Sequence, residues 1–176
     1  MTFNYTDPLF GIELKKTKNT LNNVHGTIES QNIIFGIDLT EDFKKEPIPQ
    51  RLVSFTKTFR KMTLPTPDEW TLPKTPEYIR AYGHSLSAAD YSYFQTIFDY
   101  VDLYNSNVIL EFCFSDHPTP EYPRKKGRNE YLQNKQAENV YQLINTYGST
   151  LKNPDQGKNL LHKLLVENRL RLREIK

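Results

Sequence analysis

The sequence predicts an α/β protein with a partial Rossmann-like parallel sheet flanked by helices, together with a Pro-rich loop excursion. Residues 78–83, 88–103 and 107–115 have the patterns of a strand, a helix and a strand in that order. Such a βαβ unit almost always joins parallel strands by a right-handed crossover. The second strand, NVILEFCFS, is almost continuously apolar, which is typical of a strand buried on both faces. Six prolines between Leu39 and Pro76 predict the loop-rich excursion.

Size and composition predict one domain. The chain has 176 residues, of which 37% are hydrophobic and 12% aromatic, enough for one core of ordinary size. We therefore expect a single domain over 1–176. It would consist of a strand and loop segment at 1–38, the Pro-rich excursion at 39–76, and the βαβ unit with the C-terminal helices at 77–176.

Charge and cysteine content limit which binding partners and which cellular location the sequence predicts. Lys and Arg number 23 against 21 Asp and Glu, for a net charge of +2, so charge gives no reason to expect a nucleic-acid or membrane partner. The sequence has no apolar run long enough to span a membrane, no leader pattern and one cysteine, Cys113, within an apolar strand. We expect a cytoplasmic protein in which Cys113 is a small buried side chain.

The first 76 residues predict two short strands and one helix. MTFNYTDPLF begins with a strand that stops at Asp7-Pro8, because proline cannot continue a hydrogen-bonded ladder. NIIFGID, residues 32–38, predicts a second strand with a bulge or turn at Gly36. RLVSFTKTFRKM predicts one short helix within the excursion.

The C-terminal 100 residues have clearer periodicity. The helix at 88–103 presents one apolar face, made of Tyr91, Phe94, Ile97, Phe98 and Val101. A second helix is predicted over 129–147, with Gly148 where a left-handed cap belongs. A last helix carries Leu160, Leu161, Leu164 and Leu165. The chain then ends in RLRLREIK, which we expect to be a basic tail.

The stretch GHSLSAAD, which joins the first strand of the βαβ unit to its helix, is the main candidate binding site. Ser87 and Asp90 have the spacing of an N-cap and a first-turn acid, which explains both without a ligand. Gly83, His84 and Ser85 instead lie at the carboxyl end of a parallel strand, before a helix N-terminus. That edge is where open α/β sheets bind phosphorylated ligands. We therefore expect these three residues to hold a ligand at this edge.

Two other chemistries fit the sequence poorly. A serine hydrolase elbow needs glycine two positions on each side of the serine, and position 87, two after Ser85, is a serine. The four histidines form no close pair and there is no cysteine cluster, so no metal site is expected.

Asn4 and His25 are the remaining candidate site residues. Asn4 follows the first strand and would lie at the same sheet edge if that strand joins the parallel sheet. His25 precedes Gly26, which permits close approach of a ligand to the backbone. Each residue is ordinary alone. Together, an Asn, a His and a Gly-His-Ser strand end are stronger evidence for a functional site.

Three motifs in this order resemble the AbiH family of bacterial phage abortive-infection proteins. They are FNYT at 3–6, VHG at 24–26 followed by IIFGID at 33–38, and YGHSLSAADYSYFQTIF at 82–98. The last is the most specific, and the resemblance extends over nearly the whole chain. AbiH proteins in turn look distantly like the sirtuin-like NAD-binding fold.

The resemblance implies roles for the candidate residues. Asn4 would orient the attacking water or a ribose hydroxyl, and His25 would be the general base of NAD cleavage. Gly83, His84 and Ser85 would bind NAD or a related nucleotide, with Gly83 and Ser85 along its ribose and phosphates.

The sequence also departs from the family pattern. Family members usually begin with a Gly-rich segment of the GNGFD type, which is absent here. The chain therefore resembles the C-terminal half of an AbiH protein, either a truncated gene product or one piece of a split system. Its first strand is expected to be exposed at a sheet edge or to pair with a partner chain or a second copy.

Three functions remain open from sequence alone. The chain is a nucleotide-binding portion of a defence protein, a stand-alone NAD-cleaving enzyme, or a non-catalytic interaction subunit or structural remnant. In the last case the first strand and the tail RLRLREIK would be the contact surfaces.

Overall fold

The structure, a computed structural model, describes most of the C-terminal part of the chain and selected segments before it. The described residues are 24, 25, 28, 31, 33, 34, 49–63, 72–82, 84–86, 90–115 and 127–175. By contacts between Cα atoms the chain divides into two compact units, Met1–Leu72 and Pro73–Lys176. The expectation of one domain over 1–176 stays a prediction.

In the first unit, the predicted short helix is interrupted. Two helices, α1 (Gln50–Val53) and α2 (Lys57–Thr63), occupy the segment where one was predicted. Thr56 separates them, because its hydroxyl donates to the Val53 carbonyl oxygen at 2.8 Å and accepts from the Phe59 amide at 3.1 Å. The second bond is that of an N-cap residue, so Thr56 ends one helix and starts the next.

The two strands predicted near the N-terminus fall almost entirely outside the described residues. Of the segment 32–38, the described residues are Ile33 and Ile34, and they are not part of a strand. Ile34 is buried, and its amide donates to the His25 carbonyl oxygen at 2.8 Å.

The second unit is an α/β layer with a three-stranded parallel sheet, which confirms the predicted fold class. Its elements in chain order are β1 (Tyr78–Tyr82), α3 (Tyr91–Tyr100), β2 (Ile109–Phe114), α4 (Arg128–Gly148), α5 (Pro154–Val166) and β3 (Leu170–Glu174). The sheet order is β1-β2-β3, and both pairings are parallel. The β1-α3-β2 segment is the predicted βαβ unit.

One face of the sheet, which we call the helix face, shares a hydrophobic core with α3, α4 and α5, the three helices of the second unit. Leu110 and Phe112 of β2 point to it, and Leu170 and Leu172 of β3 lie beside them in the register. They join a core whose fully buried side chains include Phe98, Leu103, Leu110, Ile144, Leu160 and Leu164. Each side chain of this size stabilises the folded state by about 2 kcal/mol on burial. This core therefore fixes the sheet, including its carboxyl edge, against the helices.

The strand β3 differs from the expectation for the C-terminus. Residues 170–174 lie within the expected tail RLRLREIK, yet they form a strand paired with β2. Arg169, just before it, is buried and donates from Nε to the Val108 carbonyl oxygen at 3.0 Å and from Nη2 to the Leu103 carbonyl oxygen at 2.5 Å. The expectation of a basic tail is therefore wrong, because this segment is an integral part of the sheet. Its role as a contact surface stays a prediction.

Two helices end in left-handed residues that are not glycine. Asp102 after α3 has φ 47°, and Asn168 after α5 has φ 55°. In each case the next amide reaches back five residues, from Leu103 to Phe98 and from Arg169 to Leu164, as in a Schellman motif. This cap stops α3 at Tyr100, three residues before the predicted end.

Gly148 does not form the predicted left-handed cap. It is the last residue of α4, and the cap residue that follows, Ser149, is right-handed. A Cβ atom added at Gly148 would lie 2.5 Å from the carbonyl oxygen of Gly157 in α5. Gly148 is therefore required because the α4 and α5 backbones touch at this point.

Candidate functional site

The turn that follows β1 is the centre of the candidate site. It contains His84, Ser85 and Leu86, and it lies at the carboxyl edge of the parallel sheet. Leu86 has φ 54°, in the left-handed region that residues with a side chain rarely adopt. Such a conformation costs about 1–3 kcal/mol, and it persists only where the surroundings fix it. Burial of the Leu86 side chain, 8% exposed, is part of that fixation.

His84 holds this turn through both of its ring nitrogens. The Leu86 amide donates to His84 Nδ1 at 2.8 Å, so Nδ1 is the unprotonated acceptor and Nε2 carries the ring proton. His84 Nε2 lies 3.2 Å from Asp90 Oδ2 and donates to it. The ring also meets the Phe94 ring edge to face, with centroids 5.2 Å apart. In this geometry His84 is a positioning residue for the turn.

Asp90 has a different role from the one that its sequence context suggests. The spacing predicts a first-turn acid that completes a capping pair with Ser87. In the structure α3 begins at Tyr91, and Asp90 is the residue before it, with no capping bond from its carboxylate. That carboxylate binds His84, and its side chain is 13% exposed. Asp90 therefore ties the start of α3 to the turn, while Ser87 lies outside the described residues.

Asn139 of α4 also fixes the turn, and no sequence pattern indicated it. Its Nδ2 donates to the carbonyl oxygen of Ser85 at 3.0 Å. The bond uses the backbone of Ser85 and not its side chain, and Ser85 is exposed. Three elements thus converge on one exposed serine: β1 before the turn, α3 after it and α4 beside it.

The other predicted site residues are distributed over the chain. Asn4 and Gly83 lie outside the described residues. His25 belongs to the first unit and is buried at 4% exposure, whereas His84 and Ser85 belong to the second. The structure therefore joins His84, Ser85 and Asp90 in one cluster, and the roles of Asn4 and His25 stay predictions.

Two negative observations apply to the described part of the chain. There, no group of three His, Cys, Asp or Glu side chains could hold a metal ion. In the same residues, none of the helices combines the length and the hydrophobicity that a membrane span requires.

Comparison with known protein families identifies a relationship. A family model described as "Bacteriophage abortive infection AbiH" matches residues 1–112. The matched range contains the three motifs and most of the β1-α3-β2 unit, and it stops short of α4, α5 and β3, so it is shorter than the near-complete resemblance expected from the motifs. No curated protein matches the chain, and no solved structure matches it.

Proposed function

The chain belongs to the AbiH family of bacteriophage abortive infection proteins, and from that premise we propose that it binds a nucleotide at the turn between β1 and α3. The nucleotide is NAD or a related compound, as the distant likeness of this family to sirtuin-like folds implies. Phage defence is the family's role, and nucleotide binding is the step that we assign to this part of the chain.

The strained Leu86 turn is the observation that carries the proposal. Backbone strain of this kind is concentrated at ligand sites, where a fixed geometry is needed before the ligand arrives. Here His84, Asp90 and Asn139 all act on residues 84–86, and none of these bonds is needed merely to start a helix. The arrangement supports a binding loop whose backbone geometry is fixed before the ligand binds.

The position of the turn supports a ligand with phosphates and a ribose. It lies at the carboxyl edge of a parallel sheet and directly before α3, whose N-terminus carries the positive end of the helix dipole. Ser85 is exposed there and can donate or accept a hydrogen bond to a ribose hydroxyl or a phosphate oxygen. Gly83 is proposed to let the ligand approach the backbone, because it has no side chain.

Binding without turnover is the expected behaviour of the described site. Both ring nitrogens of His84 are engaged within the turn, so this histidine is not placed to take a proton from a substrate. NAD cleavage, if it occurs, would depend on Asn4 and His25. We expect no nicotinamide release above the buffer rate, and release by the wild type that is lost in His25→Gln would favour the enzyme instead.

Calorimetric titration with NAD and with ADP-ribose tests the binding proposal. Ser85→Asp places a negative charge in the turn and is expected to weaken binding at least tenfold, about 1.4 kcal/mol or more, because phosphates are repelled. Gln142→Glu adds the same charge at an exposed position of α4 and should leave the affinity unchanged. Equal affinities for wild type and Ser85→Asp would disprove a site at this turn.

A further inference from the structure

The sheet face opposite the helix face has an unusual composition for a parallel sheet. We call it the arginine face. Its members, read from the register, are Tyr78, Arg80, Tyr82, Ile109, Glu111, Cys113, Arg171 and Arg173. Parallel strands normally carry aliphatic side chains on both faces because both are covered. Three arginines and two tyrosines on one face therefore suggest a surface that binds something charged and flat.

Glu111 positions two of the arginines. Its Oε2 lies 2.6 Å from Arg80 Nε, and its Oε1 lies 3.4 Å from Arg173 Nη1. The Glu111 side chain is 5% exposed, while those of Arg80 and Arg173 are 56% and 59% exposed. The buried carboxylate thus contacts both guanidinium groups, and the two arginine side chains are largely exposed to solvent. With Arg171, the face carries three positive charges against one negative charge.

Aromatic rings lie among these charges. The guanidinium carbon of Arg80 is 4.8 Å from the centroid of the Tyr78 ring, a cation–π contact. Tyr82, two residues further along the face from Arg80, is 55% exposed. Aromatic side chains combined with basic groups are a common means by which proteins bind single-stranded nucleic acid, because bases stack on exposed rings and phosphates pair with guanidinium groups.

A pocket continues the arginine face at the amino edge of the sheet. Its volume is about 390 Å³, and it is lined by Asn107, Ile109, Glu167, Asn168, Arg169 and Arg171. Ile109 and Arg171 belong to both the pocket and the face. The two asparagine amides can donate and accept hydrogen bonds, as base edges require. The negative charge of Glu167 is compensated there by Lys163 and Arg169.

We propose that the arginine face and this pocket bind single-stranded nucleic acid. One base occupies the pocket, the backbone phosphates contact Arg171 and Arg173, and a further base stacks on Tyr82. The net charge of +2 gives no reason to expect such a ligand, because composition does not reveal where charges are concentrated. The site is separate from the turn at residues 84–86, and the proposal does not depend on nucleotide binding there.

Fluorescence anisotropy of the full chain with a labelled oligothymidylate of about 15 nucleotides tests the charge contribution. Arg171→Gln and Arg173→Gln should each weaken binding by about fivefold or more and lower the slope of log affinity against log salt by about one, since each removes a phosphate contact. Lys158→Gln removes an equal charge from an exposed position of α5 and should have little effect. Identical affinities for all three variants would overturn the proposal.

Two further substitutions separate nucleic acid from an acidic protein partner. Tyr82→Leu should weaken oligonucleotide binding about fivefold or more while Tyr82→Phe retains it, because the base needs a ring. Circular dichroism of each variant verifies the fold. Poly-L-glutamate binding as tight as that of the oligonucleotide, or equal behaviour of Tyr82→Leu and Tyr82→Phe, would overturn the proposal in favour of an acidic protein ligand.

Discussion

At the scale of single residues, His84 shows how far a motif can be interpreted from sequence alone. Its place after a strand predicts that it contributes to the candidate site, and the structure puts it in the turn. There Nδ1 accepts from the Leu86 amide and Nε2 donates to Asp90, so His84 positions the turn. A direct contact between His84 and a ligand stays a prediction. The sequence does not indicate the contact between His84 and Asp90, because Asp90 also fits the Ser-x-x-Asp pattern of a helix cap. Asn139 could not be predicted, because its contact with Ser85 depends on how α4 crosses the sheet.

Replacement of His84 should lower the stability of the protein, because His84 holds the strained turn at Leu86. In His84→Ala the Leu86 amide loses its acceptor, and we expect the free energy of unfolding to fall by about 2 kcal/mol. His84→Asn is the matched variant, because an asparagine oxygen can accept the same amide two residues on, and it should recover much of that loss. Urea denaturation measures both. Equal losses in the two variants would show that the bond to Leu86 does not hold the turn.

Glu111 predicts a distinct dependence of stability on pH. Burial raises the pKa of its carboxyl group, but hydrogen bonds and charges from Arg80 and Arg173 outweigh burial, and the net pKa lies below its usual value. A group whose pKa is lowered by folding stabilises the protein above its unfolded pKa, about 4.3. That contribution disappears as the pH falls through the lower, folded-state pKa.

The Glu111→Gln variant tests this dependence. Between pH 7 and about pH 3.5 the wild type should lose more stability than the variant, because only the wild type has this carboxylate to protonate. Urea denaturation at the two pH values gives the comparison. The same loss in both proteins would mean that the two arginines do not lower the pKa of Glu111.

At the scale of elements, the structure confirms the predicted order of β1, α3 and β2. It also confirms α4, whose two ends each lie within one residue of the predicted bounds. These elements could be predicted because their apolar residues recur at helical spacing or form a continuous run. β3 is not among the predicted strands, although RLRLRE alternates leucine with charged residues at the period of a strand. Its leucines point to the helix face and its arginines to the arginine face, so the alternation was informative and a basic tail was the wrong interpretation. The interruption at Thr56 has no counterpart in hydrophobic periodicity, because one hydroxyl causes it.

The contact between α4 and α5 gives a prediction about Gly157. Alanine within a helix is normally about 1 kcal/mol more stabilising than glycine. At Gly157 the added Cβ would collide with the carbonyl oxygen of Gly148, so we expect Gly157→Ala to destabilise the protein by about 1–3 kcal/mol. Thermal or urea unfolding detects this reversal of sign.

An exposed position of α4 provides the control for Gly157. Asn134→Ala gains helix propensity without a steric conflict and should be neutral or slightly stabilising. If Gly157→Ala stabilises the protein as Asn134→Ala does, the two helices do not approach as closely as described.

At the scale of the whole molecule, three sequence motifs are enough to indicate the family, and the family model over residues 1–112 confirms it. Composition is less informative. A near balance of charges hides an asymmetric sheet, with an apolar helix face and an arginine face. The carboxyl edge of this sheet carries the turn that we assign to nucleotide binding, and the arginine face is a second surface with different chemistry.

Hydrogen–deuterium exchange of the full chain, with and without saturating NAD, tests the central claim most directly because it locates the ligand. We expect slower exchange in peptides that cover residues 83–90, since a bound nucleotide would further fix a turn already held by His84 and Asn139. The protection should be absent in Ser85→Asp. Unchanged exchange at 83–90 under conditions where NAD binds, or protection confined to other segments, would contradict the assignment of the turn as the nucleotide site.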